Sequence, residues 1–161
     1  MKEAASNYAF IDSQNLNLGI RTQGWRLDFR KFRIFLRDQY SVSKAFLFIG
    51  FLPENQRLYT ALQEDGYILI FKPTLQLKDG RVEGNVDAEL VLHAMIEYPN
   101  YGHAVIVSGD GDFNCLVEHL MRQNKLLRLI VPNQRNFSSL LGRLRAPMVF
   151  MNALRGKLER K

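Results

Sequence analysis

The chain has 161 residues, 47% of them apolar and 24% charged, with a formal net charge of +6. That length and balance suit a soluble globular domain with its own core, and they exclude a disordered or fibrous chain. A lone Cys115 cannot build a disulfide framework, and no apolar run approaches the length of a membrane span, so a cytoplasmic protein without a membrane partner is expected.

Tyr8 to Ile11 reads as a short buried strand closed by Asp12. Leu27 to Gln39 has helical periodicity through Leu27, Phe32, Phe35 and Leu36, and Ala45 to Phe51 is a continuous apolar strand. Pro53 suits a helix start, Glu54 to Glu64 follows as a helix, and Asp65-Gly66 leads into a strand from Tyr67 to Phe71. Turn residues then break the pattern between Lys72 and Gly84, which predicts a long functional loop or hairpin. Asn85 is placed to cap a helix from Val86 to Glu97. A strand from His103 to Val107, a helix from Phe113 to Gln123 and a strand from Leu126 to Val131 follow. Beyond Pro132 the pattern gives a short helix near Phe137 to Leu141, a strand at Met148 to Phe150 and a basic tail from about residue 143.

Strands alternating with helices indicate one α/β domain over residues 1–161, and continuous apolar strands indicate a mainly parallel sheet covered on both faces. In such sheets a ligand sits beyond the carboxyl ends of the strands where their order reverses. An order of 3-2-1-4-5 would make the first and fourth strands neighbours. Asp12 would then face Ser108, Asp110 and Asp112 across one crevice, with Asp87 reaching it from the first turn of its helix.

Each acid alone has a structural explanation as a helix cap or turn ligand. Together, carboxylates at adjacent strand ends repel one another unless a cation neutralises them. Oxygen-only ligands favour a hard ion, Mg²⁺ or Mn²⁺, and His93, His103 and His119 lack the paired spacing of a zinc site. Asp110, Asp112 and Asn114 do not continue into a calcium loop, because the glycine and glutamate it needs are missing. Gly109-Asp110-Gly111 with Asn114 is similar to a metal-binding element of haloacid dehalogenase phosphatases, but Ser13 and Gln14 follow Asp12 where their nucleophile motif has a second acid, which disfavours that alternative.

Charge is unevenly spread. From residue 121 onward ten Lys or Arg face one acid, Glu159, so the acids concentrate upstream and a basic surface surrounds them. Such a surface favours polyanions. Arg21, Arg26, Arg30 and Lys31, then Lys72, Lys78 and Arg81, then Arg135, Arg143 and Arg145 are the candidate phosphate contacts. Trp25, Tyr101 and Phe137 could stack bases, although aromatic residues in so apolar a chain are more often core.

The segments FIDSQNL, EGNVD and SGDGDF, in this order between Tyr8 and Val131, resemble the NYN domain, the LabA-like branch of the PIN-like nuclease superfamily. The resemblance implies a three-layer α/β/α, Rossmann-like PIN fold and a metal-dependent ribonuclease leaving 5′-phosphate and 3′-hydroxyl ends. Its acidic site would map onto Asp12, Asp87, Asp110 and Asp112, with Asn15 and Ser108 orienting the aspartates or the substrate phosphate. Arg21, Lys72, Arg81 and Arg135 would help to bind RNA. Three positions depart from the family pattern: Ser13 for a glycine, Glu83 for a lysine and His93 for a further aspartate. A catalytically silent module gripping RNA or protein is the alternative. The apolar stretch Pro147 to Phe150 leaves a homodimer open.

Overall fold

Alternation along the buried strands divides the apolar residues between two cores, one on each face of a single sheet. Tyr8 and Phe10 of the first strand face one core while Ala9 and Ile11 face the other. The same switch recurs at Phe46/Leu47 and at Ile106/Val107, as the two-residue period of a strand requires. The structure, a computed structural model, describes residues 6–73, 75–76, 78, 82–83 and 86–161.

The main sheet has six strands: β1 (Asn7–Asp12), β2 (Val42–Phe51), β3 (Tyr67–Pro73), β6 (Ala104–Val107), β7 (Leu126–Val131) and β8 (Met148–Phe150). Two short strands, β4 (Leu75–Gln76) and β5 (Val82–Glu83), pair antiparallel as a separate hairpin. The sheet order is β3-β2-β1-β6-β7-β8, and every pairing within it is parallel. With the hairpin set aside, the expected 3-2-1-4-5 order holds and β8 adds a sixth strand at the edge. Parallel strands buried on both faces account for the unbroken apolar runs.

One face carries α4 (Asp87–Ile96), α5 (Asn114–Arg122) and α6 (Ser139–Gly142), which insert Leu90, Leu116, Leu120 and Leu141. The other carries α1 (Ser13–Arg21), α2 (Phe29–Tyr40), α3 (Gln56–Glu64) and α7 (Arg155–Leu158), with Leu16, Phe32, Leu36, Leu62 and Leu158. The architecture is therefore three-layer α/β/α. Among the described residues, no helix is long and apolar enough to cross a membrane.

Several boundaries differ from those expected. Helix α2 begins two residues later than Leu27, because the Asp28 side chain caps it by accepting the Lys31 N–H at 3.0 Å. Leu27 instead bridges to Glu159. Helix α4 begins at Asp87 after Val86, with no side-chain cap, and Asn85 lies outside the described residues. The helix expected from Phe113 starts as a single 3₁₀ turn, Gly111–Phe113, before α5. Helix α1 has no counterpart among the expected elements. At the C-terminus the basic stretch is held to the body: Met151 and Leu158 are buried, and the Arg160 N–H donates to the Arg26 carbonyl at 2.9 Å.

Candidate metal centre at the carboxyl edge of the sheet

β1 and β6 are paired neighbours, so the loops leaving their carboxyl ends start side by side. Asp12, the last residue of β1, is buried and caps α1: its Oδ1 accepts the Asn15 N–H at 3.2 Å. Its Oδ2 accepts the Ser108 hydroxyl at 3.2 Å. The Ser108 Oγ in turn accepts the Asp110 N–H at 3.1 Å, and Asn15 Oδ1 accepts the Gly109 N–H at 2.8 Å. Asn15 and Ser108 thus stitch the two strand ends together.

Asp110 caps the 3₁₀ turn by accepting the Asp112 N–H at 2.9 Å. Asp87 arrives from the opposite side, its helical turn anchored by the buried Val86 and Leu90. One carboxylate oxygen from each of Asp12, Asp87 and Asp110 lies within 4.8 Å of the others. Asp112, two residues after Asp110, stands outside this group and is exposed.

Burial raises the Asp12 pKa above its ordinary value, the Asn15 and Ser108 donors work against that, and the Asp110 charge raises it again. A carboxylate in this position gains from any nearby cation. The donor set fits a hard divalent ion: three carboxylates on separate elements, all oxygen, with no thiol or imidazole among them.

The loop after β6 is braced from outside. The Ser138 N–H donates to the Gly109 carbonyl at 2.9 Å, and Asn114 Nδ2 donates to the Leu140 carbonyl at 3.0 Å. A Cβ on Gly109 would meet Phe137 Cβ at 3.0 Å, and one on Gly111 would meet Ser138 Cβ at 2.9 Å. Side chains added at the glycines of SGDGDF would therefore crowd residues 137–138, most of all at Gly111.

The remaining candidates are dispersed. Lys72 on β3 pairs with Glu89 of α4 at 3.7 Å, a residue that the sequence did not single out. The signal for Glu89 was its place in the first turn of α4, two residues after Asp87 and four before His93. The His93 ring packs edge-on against Phe48 with centroids 5.5 Å apart, as a packing histidine would. Arg21 is exposed in the last turn of α1, Arg135 is exposed beyond β7, and Arg81 lies outside the described residues. Trp25 and Tyr101 are buried and belong to the cores, not to a stacking surface.

The NYN domain family model matches residues 8–146. The chain belongs to the NYN domain family. Its match reaches past Val131 to include the bracing segment 137–140 and stops before β8. Among solved structures, the chain is similar to a protein of unknown function from Vibrio parahaemolyticus RIMD 2210633. The two share 24% identity and a TM-score of 0.77, over 94% of this chain and 96% of the other, which is a likeness of fold. No curated protein matches the chain. NYN membership places the protein among the PIN-like nuclease families, whose members generally use divalent metals.

Proposed function

We propose that this NYN protein is a metal-dependent ribonuclease that hydrolyses RNA phosphodiester bonds at the Asp12, Asp87 and Asp110 cluster. The observation that carries this is the convergence of three carboxylates from three elements within 4.8 Å on a chain of this family. Asp12, Asp87 and Asp110 would hold Mg²⁺ or Mn²⁺. Such an ion supplies charge neutralisation at a phosphodiester oxygen and Lewis acidity there.

The chain's own residues prepare that site. Asn15 and Ser108 fix Asp12 and the Asp110 loop before any ligand arrives, so little reorganisation accompanies binding. Asp112, exposed two residues after Asp110, would orient water or a second hydrated ion. Arg21, Lys72, Arg81 and Arg135 would contact substrate phosphates, with Lys72 shared with Glu89. Water attacking phosphorus in line with the P–O3′ bond would break that bond and leave 5′-phosphate and 3′-hydroxyl ends, as the NYN resemblance implies.

A second reading keeps binding without turnover. It is favoured by His93, whose ring lies against Phe46 and Phe48 where many members carry another acid. End-labelled single-stranded RNA, incubated with purified protein and Mg²⁺ or Mn²⁺, separates the two. Cation-dependent cutting that Asp12→Asn/Asp110→Asn loses supports the nuclease, and RNA binding by a folded wild type that never cuts supports the silent module.

A further inference from the structure

Helix α1 links the acidic cluster to a second feature of the molecule. Asp12 caps it, and the buried Ser13 and the exposed Asn17 and Arg21 follow at four-residue spacing. Asn17 Nδ2 lies 3.4 Å from Ser13 Oγ, one turn away. The helix stays near the carboxyl edge of the sheet: a Cβ on Gly19 would touch Pro132, which directly follows β7, at 2.6 Å. Its last turn opens on a groove of about 400 Å³ lined by Asn17, Arg21, Arg26 and Arg160 over an apolar floor that includes Phe29 and Leu58.

Three cations in one groove repel one another unless an anion joins them. Among the described residues none of these three forms an ion pair, and the acid of the adjoining wall, Glu159, is engaged by Arg155 through both oxygens at 3.2 Å. Leu58 is 42% exposed, so the floor presents apolar surface to a ligand. Phosphates along the walls and flat apolar groups on the floor describe an unpaired polynucleotide strand, because a duplex keeps its base faces inside the stack.

We infer that the groove of Arg21, Arg26 and Arg160 is the track of a single-stranded RNA that continues along α1 to the acidic cluster. From Ser13 to Arg21 the helix rises about 12 Å, so the track holds nucleotides flanking the bond at the cluster. The direction of the strand rests on the proposed hydrolysis at Asp12, Asp87 and Asp110. The groove itself rests on its own charge and shape.

The test is fluorescence anisotropy with labelled single-stranded RNA in excess chelator, where no cleavage intervenes. Arg21→Ala/Arg26→Ala/Arg160→Ala is compared with Arg37→Ala/Lys44→Ala/Arg122→Ala, which removes the same charge elsewhere, from Asp38, the Tyr8 ring and Glu118. The groove variant should bind at least about tenfold more weakly, and the slope of log K against log salt should fall by about 2, or about 0.7 per lost contact. The control should keep the wild-type slope to within about 0.7, the value of a single contact. Arg21→Glu, one exposed change, repeats the comparison where the triple variant melts early. Equal losses in both triples, or a wild type that binds no RNA, would overturn the inference. Groove-dependent binding without cleavage in Mn²⁺ would overturn the nuclease reading and leave the track standing.

Discussion

Ser108 touches both acids of the β1–β6 junction: its hydroxyl donates to Asp12 Oδ2 at 3.2 Å while its oxygen accepts the Asp110 N–H at 3.1 Å. Replacing it by alanine takes a donor from a buried carboxylate and an acceptor from the amide that sets the Asp110 loop. Ser108→Ala should therefore lower Mn²⁺ affinity by about 10-fold to 100-fold, the usual cost of losing a group that orients a ligand. Calorimetric titration checks this, and an unchanged affinity would remove Ser108 from the site.

The raised pKa of Asp12 sets a pH dependence. Without a cation, the folded state holds this proton more tightly than the unfolded one. The stability so gained is fully present below 3.8 and lost as pH rises through the raised value. Bound Mg²⁺ needs the deprotonated form, so its stabilising effect should grow in the same direction. The Tm gained on adding Mg²⁺ should be small near about pH 4 and larger near about pH 7. A gain equal at both would contradict the role given to Asp12.

Gly111→Ala should destabilise the fold by about 1–3 kcal/mol, the usual result of forcing a methyl into a filled contact. The added Cβ would sit 2.9 Å from Ser138 Cβ, and yielding there displaces the segment that braces the Asp110 loop. Thermal unfolding gives the first effect, and weaker Mn²⁺ binding by the folded variant gives the second.

Arg33 separates structural arginines from those offered to a ligand. Its guanidinium donates to the carbonyls of Gly66, Val42 and Ser43 at 3.1–3.2 Å. Arg33→Ala should cost about 2 kcal/mol of stability through these bonds. RNA affinity should remain at the wild-type value, in contrast with Arg21→Ala.

The strands were legible because apolar runs buried on both faces leave little choice, and the β1–β6 adjacency followed from the topology such runs adopt. Helix α1 was not. Asn15, Asn17 and Gly19 are weak helix formers, and only Leu16 and Ile20 mark its buried face. Its real signal was Asp12, which serves as cap and site residue together. Asp12, Asp87, Asp110 and Asp112 were recognisable as a group from their places at strand and helix ends, and three of the four converge. The exposure of Asp112 was not, since a one-residue spacer in a turn does not say which carboxylate faces inward. The groove at Arg160 depends on a contact between residues far apart in the sequence, Arg26 with Arg160, that no local pattern reveals.

Anomalous diffraction from crystals soaked in Mn²⁺ tests the central claim most directly. A peak is expected among the carboxylates of Asp12, Asp87 and Asp110, absent from crystals of Asp87→Asn. Well-ordered carboxylates with no peak between them at saturating Mn²⁺, or a peak held by Asp112 away from Asp12, would contradict it.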